Sequence, residues 1–281
     1  MVPHVAMLDV PRPVVAFLAR LPAAHRRKIG TPHGSRAPGP FRQAVLVLRW
    51  FRHRTCVHCL ARDAGISQAT GYRYLHEGID VLAECAPDLH QVLERCRARG
   101  LSHVVLDGTL IPCDRVAGTT EKGNDLWYSG KGRHFAGNLQ FIAAPDGSLH
   151  GASPARRAWG RVSDVEPGSV HDLRAARIHA LPALYAAARA GLPTLADVGY
   201  TGAGIGVHTP FRPHPDISSP LAADNRTHNR LLRGIRARGE RAAAELKQRW
   251  RALQHVTISP SRIGAVAQAA LVLNNAWHEK R

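Results

Sequence analysis

Acidic residues are scarce in this chain: 21 Asp and Glu stand against 38 Lys and Arg in 281 residues, a formal net charge of +17. Lysine is scarcer still, five residues in all, so the positive charge is almost wholly arginine. A guanidinium fork pairs bidentately with phosphate or base edges, where an ammonium offers only a point charge, and this makes nucleic acid the favoured partner class. The five cysteines form no repeating framework and exclude a disulfide scaffold. Cys56-Val57-His58-Cys59 has metal-ligand spacing, with His53 nearby, but Cys85, Cys96 and Cys113 are isolated. No second pair completes a tetrahedral zinc site, and small buried thiols are expected instead. No run of about 18 apolar residues occurs, and residues 1–10 lack the basic and apolar regions of a signal peptide, so no membrane partner is expected. The serine-hydrolase elbow Gly-x-Ser-x-Gly and the phosphate-binding P-loop are missing too.

What is present divides into two stretches. Residues 30–40, "GTPHGSRAPGP", cannot continue a helix and read as a linker or surface loop. Val45, Leu46, Leu48 and Trp50 make Phe41 to Phe51 helical, and a second helix covers about Val57 to Ala64. In "AGISQATGYRYLHEGIDVLAE" Gly65 breaks the helix, Ser67 can cap the next one, and Tyr72, Leu75 and Ile79 recur at helical spacing. Helix, glycine turn and helix over about residues 41–82 outline a helix-turn-helix. Its second helix would offer Gln68, Thr70 and Arg73 to base edges in the major groove. Small helical bundles contain such turns as well; the charge tips the reading toward DNA.

An all-α region over residues 1–98 and an α/β domain over 99–281 are therefore expected. "SHVVLDGTLIPC" is a β-branched run ending at Asp107-Gly108. "HFAGNLQFIAAPDGSLHGAS" reads as a hairpin, with one strand through Leu139 to Ala143, a turn at Pro145-Asp146-Gly147 and a return near Leu149. "GSVHDLRAARIHALPALYAAARAGLPTLADVGY" gives a helix, a Gly-Leu-Pro stop and a strand running into Asp197. Leu231 to Leu253 is a long helix with one apolar seam of Leu232, Ile235, Gly239, Ala242, Leu246, Trp250 and Leu253.

Asp107 and Asp197 each stand where a short apolar run meets glycine. Strand ends of an α/β sheet converge on one edge, so the two carboxylates can meet in space. Facing each other they repel unless a divalent cation lies between, and Mg²⁺ favours carboxylate oxygens together with phosphate. A third acid is expected from a rigid element. Glu240 lies beside Gly239 on the border of the helix seam, with Arg236 one turn before and Lys247 two turns after; Glu245, on the opposite flank, is the reserve. On spacing alone Glu240 also reads as a solvated glutamate paired with Arg236.

"LDGTLIPC", "YSGKGRHFAGNLQFIAAPDG", "PGSVHD", "LADVGYTG" and "HNRLLRGIRARGERAAAELKQRWRAL" follow one another in this order. Together they resemble the DDE-type transposases of bacterial insertion sequences, of the insertion-sequence-five type and related to the eukaryotic Harbinger group. The likeness runs from about Ser102 to the C-terminus, and the helix-turn-helix suits that family. It implies a ribonuclease-H-like catalytic domain in which three acids hold two divalent ions, Mg²⁺ or Mn²⁺, for cutting and joining DNA strands. By this resemblance the acids fall on Asp107, on Asp197 in Asp-x-Gly-Tyr, and on Glu240, preceded by Arg236 or Arg238. The family more often has Val before the Glu, where this chain has Gly239. His171-Asp172 matches a further motif as a structural or accessory pair; the competing assignment makes Asp172 the second acid. Lys131 and His134 are expected phosphate contacts, or else part of a solvated loop. A transposase is then expected, binding terminal inverted repeats and target DNA as a homodimer or higher oligomer, nucleoid-associated in a bacterial cytoplasm. The rival readings are a helix-turn-helix regulator with a degenerate catalytic domain and a domesticated nuclease of the same fold without strand transfer.

Overall fold

Helices α1 (Arg12–Lys28), α2 (Pro40–His53), α3 (Val57–Asp63) and α4 (Gln68–Ala83) account for the first part of the chain. The computed structural model describes residues 8–146, 160–213 and 221–278. α2 buries Leu46, Val47, Leu48, Trp50 and Phe51. Residues 30–40 return the chain from α1 to α2, where Arg26 donates to Gln43 Oε1 at 2.6 Å and Gln43 Nε2 donates to the Tyr74 carbonyl at 3.1 Å. These bonds tie α1, α2 and α4 together through polar groups that would be costly to bury unpaired. Gly65, with φ +66°, closes the turn after α3, and the Ser67 hydroxyl caps α4 by accepting from Thr70 N at 3.2 Å. Tyr74, Leu75 and Ile79 form the buried face of α4; Tyr72 is only half-buried.

This helical unit comprises residues 1–86, 246–254 and 265–281, and the second unit residues 87–245 and 255–264. The division differs from a single boundary at residue 98, for two physical reasons. Trp250 and Trp277, the latter on α9 (Ile263–His278), complete an edge-to-face aromatic series with Trp50 and Phe51, at centroid distances of 5.1, 6.3 and 5.9 Å. α5 (Leu89–Ala98) instead buries Val92, Leu93 and Cys96 in the core of the second unit.

That second unit is built on a mixed sheet. β1 (Val104–Pro112), β3 (His134–Ala143) and β4 (Arg161–Pro167) form an antiparallel meander, with the short β2 (Tyr128–Ser129) on β3. β5 (Thr194–Leu195) and β6 (Val207–His208) continue it in parallel on the other side of β1. The strand path reads β2-β3-β1-β5-β6, with β4 also paired to β3, so that the long strands follow the order β4-β3-β1 before β5 and β6. α5, α6 (Asp172–His179) and α7 (Leu181–Arg189) share one core with Val104 and Leu106. Val105, one residue out of phase and so on the opposite face, is met by Gly239 of α8 (Ala223–Arg249).

Several expectations change in detail. β1 does not end at Asp107-Gly108 but continues to Pro112, because its ladder with β3 stays paired from Val105↔Ala143 to Pro112↔Ala136. β3 is followed by β4 as its antiparallel neighbour; the return strand expected near Leu149 lies outside the described residues. α8 starts eight residues before the expected Leu231 and ends at Arg249, so Trp250 and Leu253 lie beyond it. Within its seam Leu232, Gly239 and Leu246 are buried, whereas Ile235 is 37% exposed and Arg236 is buried in its stead. The side chain of Ala242 lies outside what is described. Of the cysteines only Cys96 and Cys113 are buried; Cys56 and Cys85 are exposed, and none of the five is joined in a disulfide among the described residues. No described helix is long and apolar enough to cross a membrane.

Candidate active site

The register of β1 with β5 sets the site. Val105 pairs with Leu195, so Asp107 and Asp197 each follow a matched pair by two residues, on neighbouring parallel strands. In pleated chains that spacing returns side chains to the same face. β5 stops at Leu195, and Asp197 then caps a short 3₁₀ turn, accepting from Gly199 N at 2.7 Å. A carboxylate that ends a strand is compensated in part by this N–H. Asp107, inside β1, accepts from Gly108 N at 2.9 Å.

α8 brings the next groups to the Asp107 face. Gly239 packs so closely on β1 that a Cβ there would lie 2.8 Å from Val105 Cγ1. A side chain at position 239 would push α8 off the strand. Arg236, one turn earlier, places Nη2 3.8 Å from Asp107 Oδ2 and 3.5 Å from Glu240 Oε1. Burial pushes the Asp107 carboxyl up to about 6, Arg236 and the Gly108 N–H oppose this, and the charges of Asp197 and Glu240 add to it. Of the three acids singled out from the sequence, Asp107 therefore feels the charges of the other two. Glu240, rather than Glu245, is the α8 carboxylate that acts on Asp107.

Behind β1 a second polar arrangement faces the Gly108 side. Tyr200 OH donates to Gln140 Oε1 at 2.6 Å, Gln140 Nε2 to Asn138 Oδ1 at 3.0 Å, and Asn138 Nδ2 to Asp172 Oδ1 at 2.8 Å. Asp172, the first residue of α6, also accepts from Lys131 Nζ at 3.1 Å. Each donor orients the next amide, so the series ends on Asp172 as an acceptor. Gly108 makes the approach possible, since a Cβ there would lie 2.7 Å from Asp172 Oδ1 and 3.0 Å from Tyr200 OH. Burial, followed by the charges of Asp172, Asp107 and Asp197, drives the Tyr200 hydroxyl strongly up, which keeps it a donor. Asn138, Gln140 and Tyr200 were not among the expected site residues. Two amides at i and i+2 in the apolar run "HFAGNLQFIA" were the available signal, because they share one face of a buried strand.

The remaining expected residues fall in separate places. Partial desolvation works against the Lys131 charge, but its bond to Asp172 and the nearby Asp197 and Asp107 leave its pKa raised. His134 opens β3, exposed, with Nδ1 donating to the Gly132 carbonyl at 2.6 Å. Gln68 and Arg73 are exposed on α4 and Thr70 is half-buried; Gln68 Nε2 lies 2.6 Å from His58 Nε2, and the Arg73 guanidinium covers the Tyr74 ring at 5.5 Å. His171 caps α6, its Nδ1 accepting from Leu173 N at 3.2 Å.

Asp107, Asp197 and Glu240 offer hard oxygen donors, and Arg236 of α8 lies against two of them, Asp107 and Glu240. In donor chemistry they suit a divalent cation of the Mg²⁺ or Mn²⁺ kind. Among the described residues no group of three His, Cys, Asp or Glu side chains stands close enough to hold a metal ion. Comparison with known proteins adds one finding: residues 106–275, well over half of the chain, match the family described as DDE superfamily endonuclease. No curated protein and no solved structure matches.

Proposed function

This chain belongs to the DDE superfamily endonucleases, and from that membership we propose that it is a transposase that binds the ends of an insertion sequence, cleaves them and joins them to a target. The family's substrate is DNA, and its endonucleases generally use divalent metals. What carries the reading is that the charges of Asp197 and Glu240, from two other elements, both act on Asp107 beside a matched pair of parallel strands. The strand order β4-β3-β1-β5-β6, antiparallel then parallel about a central β1, supports a ribonuclease-H-like catalytic domain.

Asp107, Asp197 and Glu240 would hold Mg²⁺ or Mn²⁺, two ions in the family's scheme. When bound, the ions supply activation of water or a 3′-hydroxyl and stabilisation of the leaving oxygen in an in-line displacement at phosphorus. The protein's own groups do the rest. Arg236 holds Asp107 and Glu240 near each other in the absence of substrate, and Lys131 presents an ammonium to a phosphate from the Asp172 side. Gln68, Thr70 and Arg73, with His134 as a further phosphate contact, are the DNA-reading part of the proposal. The helical unit would dock on terminal inverted repeats, and a homodimer or higher oligomer would pair two ends.

Product analysis separates a transposase from a nuclease of the same family. With a cut 3′ end and a target duplex in the reaction, the proposal predicts covalent joining of the two. Cleavage with no joined product under the same conditions would leave the domesticated nuclease as the function.

A further inference from the structure

One solvent face of α8, bordered by Glu240 on one flank and Glu245 on the other, is built from arginine and alanine. At 3.6 residues per turn, positions 226, 230, 233, 237, 241 and 244 share that face. They are Arg226, Arg230, Arg233, Ala237, Arg241 and Ala244. Leu232, Arg236, Gly239 and Leu246 are buried on the other side of the helix, and all four stripe arginines are exposed. Among the described residues none of the four forms an ion pair, and their only side-chain hydrogen bond runs from Arg226 Nη1 to the Leu221 carbonyl at 2.6 Å.

A merely solvated helix face would pair such charges with acids one turn away; of the four, only Arg241 has an acid at that spacing, Glu245. Here Arg226 with Arg230, and Arg230 with Arg233, are like charges at helical i,i+4 and i,i+3 spacing, which repel. The repulsion persists on the helix that also supplies Glu240, and Ala237, between Arg233 and Arg241, leaves room for a close neighbour. From Arg226 to Arg241 the stripe is about 22 Å long. A polyanion laid along it relieves the repulsion, and duplex DNA presents a charge about every 1.7 Å of its axis.

We propose that this arginine stripe is a track for the phosphate backbone of double-stranded DNA, leading the duplex along α8 to the acids at Glu240. It reads no bases and works on any sequence. The inference rests on the DNA-processing reading above and adds the surface that would hold the duplex beside the cut.

The test is the salt dependence of binding of the full chain to a random-sequence duplex, followed by fluorescence anisotropy. Three variants are compared with the unchanged protein: Arg226, Arg230, Arg233 and Arg241 all →Gln; the same four all →Lys; and a control with Arg95, Arg97, Arg177 and Arg189 →Gln. The control removes the same charge from other helices, and circular dichroism checks helix content in each. The stripe Gln variant is expected to lose about 3.6 from the slope of log K against log salt, at about 0.9 per phosphate contact. The Lys variant should keep the slope, and the control should lose less than about 1. Equal slopes for the stripe Gln variant and the control, with the unchanged protein binding well, would overturn the track alone. Failure of the unchanged protein to bind duplex DNA would overturn the proposed function together with it.

Discussion

Asp107 is the residue at which the site's electrostatic cost is clearest. Its carboxyl is largely buried and feels the charges of Asp197 and Glu240, and its pKa is pushed up from 3.8 to about 6. Below about pH 3.8 it is protonated in both the folded and unfolded chain. Between that pH and about 6 the folded chain retains a proton that the unfolded chain has lost. Its contribution to stability is therefore fully present at low pH, is lost as pH rises through that window, and levels off above it, by roughly 3 kcal/mol at most. Urea denaturation from pH 4 to 8 should show this decline in the unchanged protein and a flatter profile in Asp107→Asn. The variant should be the more stable of the two at pH 7, and Mg²⁺ or Mn²⁺ should raise the Tm of the unchanged protein at pH 7 without raising that of the variant. Asp107, Asp197 and Glu240 were legible as candidates because an acid beside a glycine in an apolar run is conspicuous. The series from Tyr200 through Gln140 and Asn138 to Asp172 was not, because it joins residues up to 60 positions apart through orientations no spacing reveals.

At the scale of the element, α8 shows how a short contact shapes a helix. Gly239 costs helix propensity, and the close approach to Val105 is what it permits. Gly239→Val should destabilise the protein by about 1–3 kcal/mol through overpacking, despite the better helix former. Thermal unfolding should register the loss, and Gly234→Ala, where a Cβ meets only open space, should register none. The helix itself was readable from its periodicity, but the exchange of Ile235 for Arg236 on the buried side was not. Apolar patterning assigns a leucine-like residue to the core by default, whereas Arg236 goes in because Asp107 and Glu240 receive its charge. β1 was cut short in the sequence reading for a related reason. Gly108 looks like a strand terminator, yet it serves the approach of Asp172 and Tyr200 while the ladder continues past it.

The whole molecule combines an arginine-rich charge with one set of acids. The +17 net charge makes long-range attraction to a polyanion its dominant field, and the carboxylates interrupt that field where the strands β1 and β5 run in parallel. The sequence order of a helical region followed by an α/β region was legible from composition and periodicity. The return of residues 246–254 and 265–281 to the helical unit was not, because aromatic partners such as Phe51 and Trp250 lie far apart in the chain. The central claim is that Asp107, Asp197 and Glu240 form one metal-dependent cutting site. It is tested most directly by Mg²⁺- or Mn²⁺-dependent cleavage of a duplex carrying the element's own end, comparing the unchanged protein with Asp197→Asn at identical salt. The account predicts that the unchanged protein cuts, and that Asp197→Asn binds the duplex equally well but does not cut; equal cutting by both would contradict it.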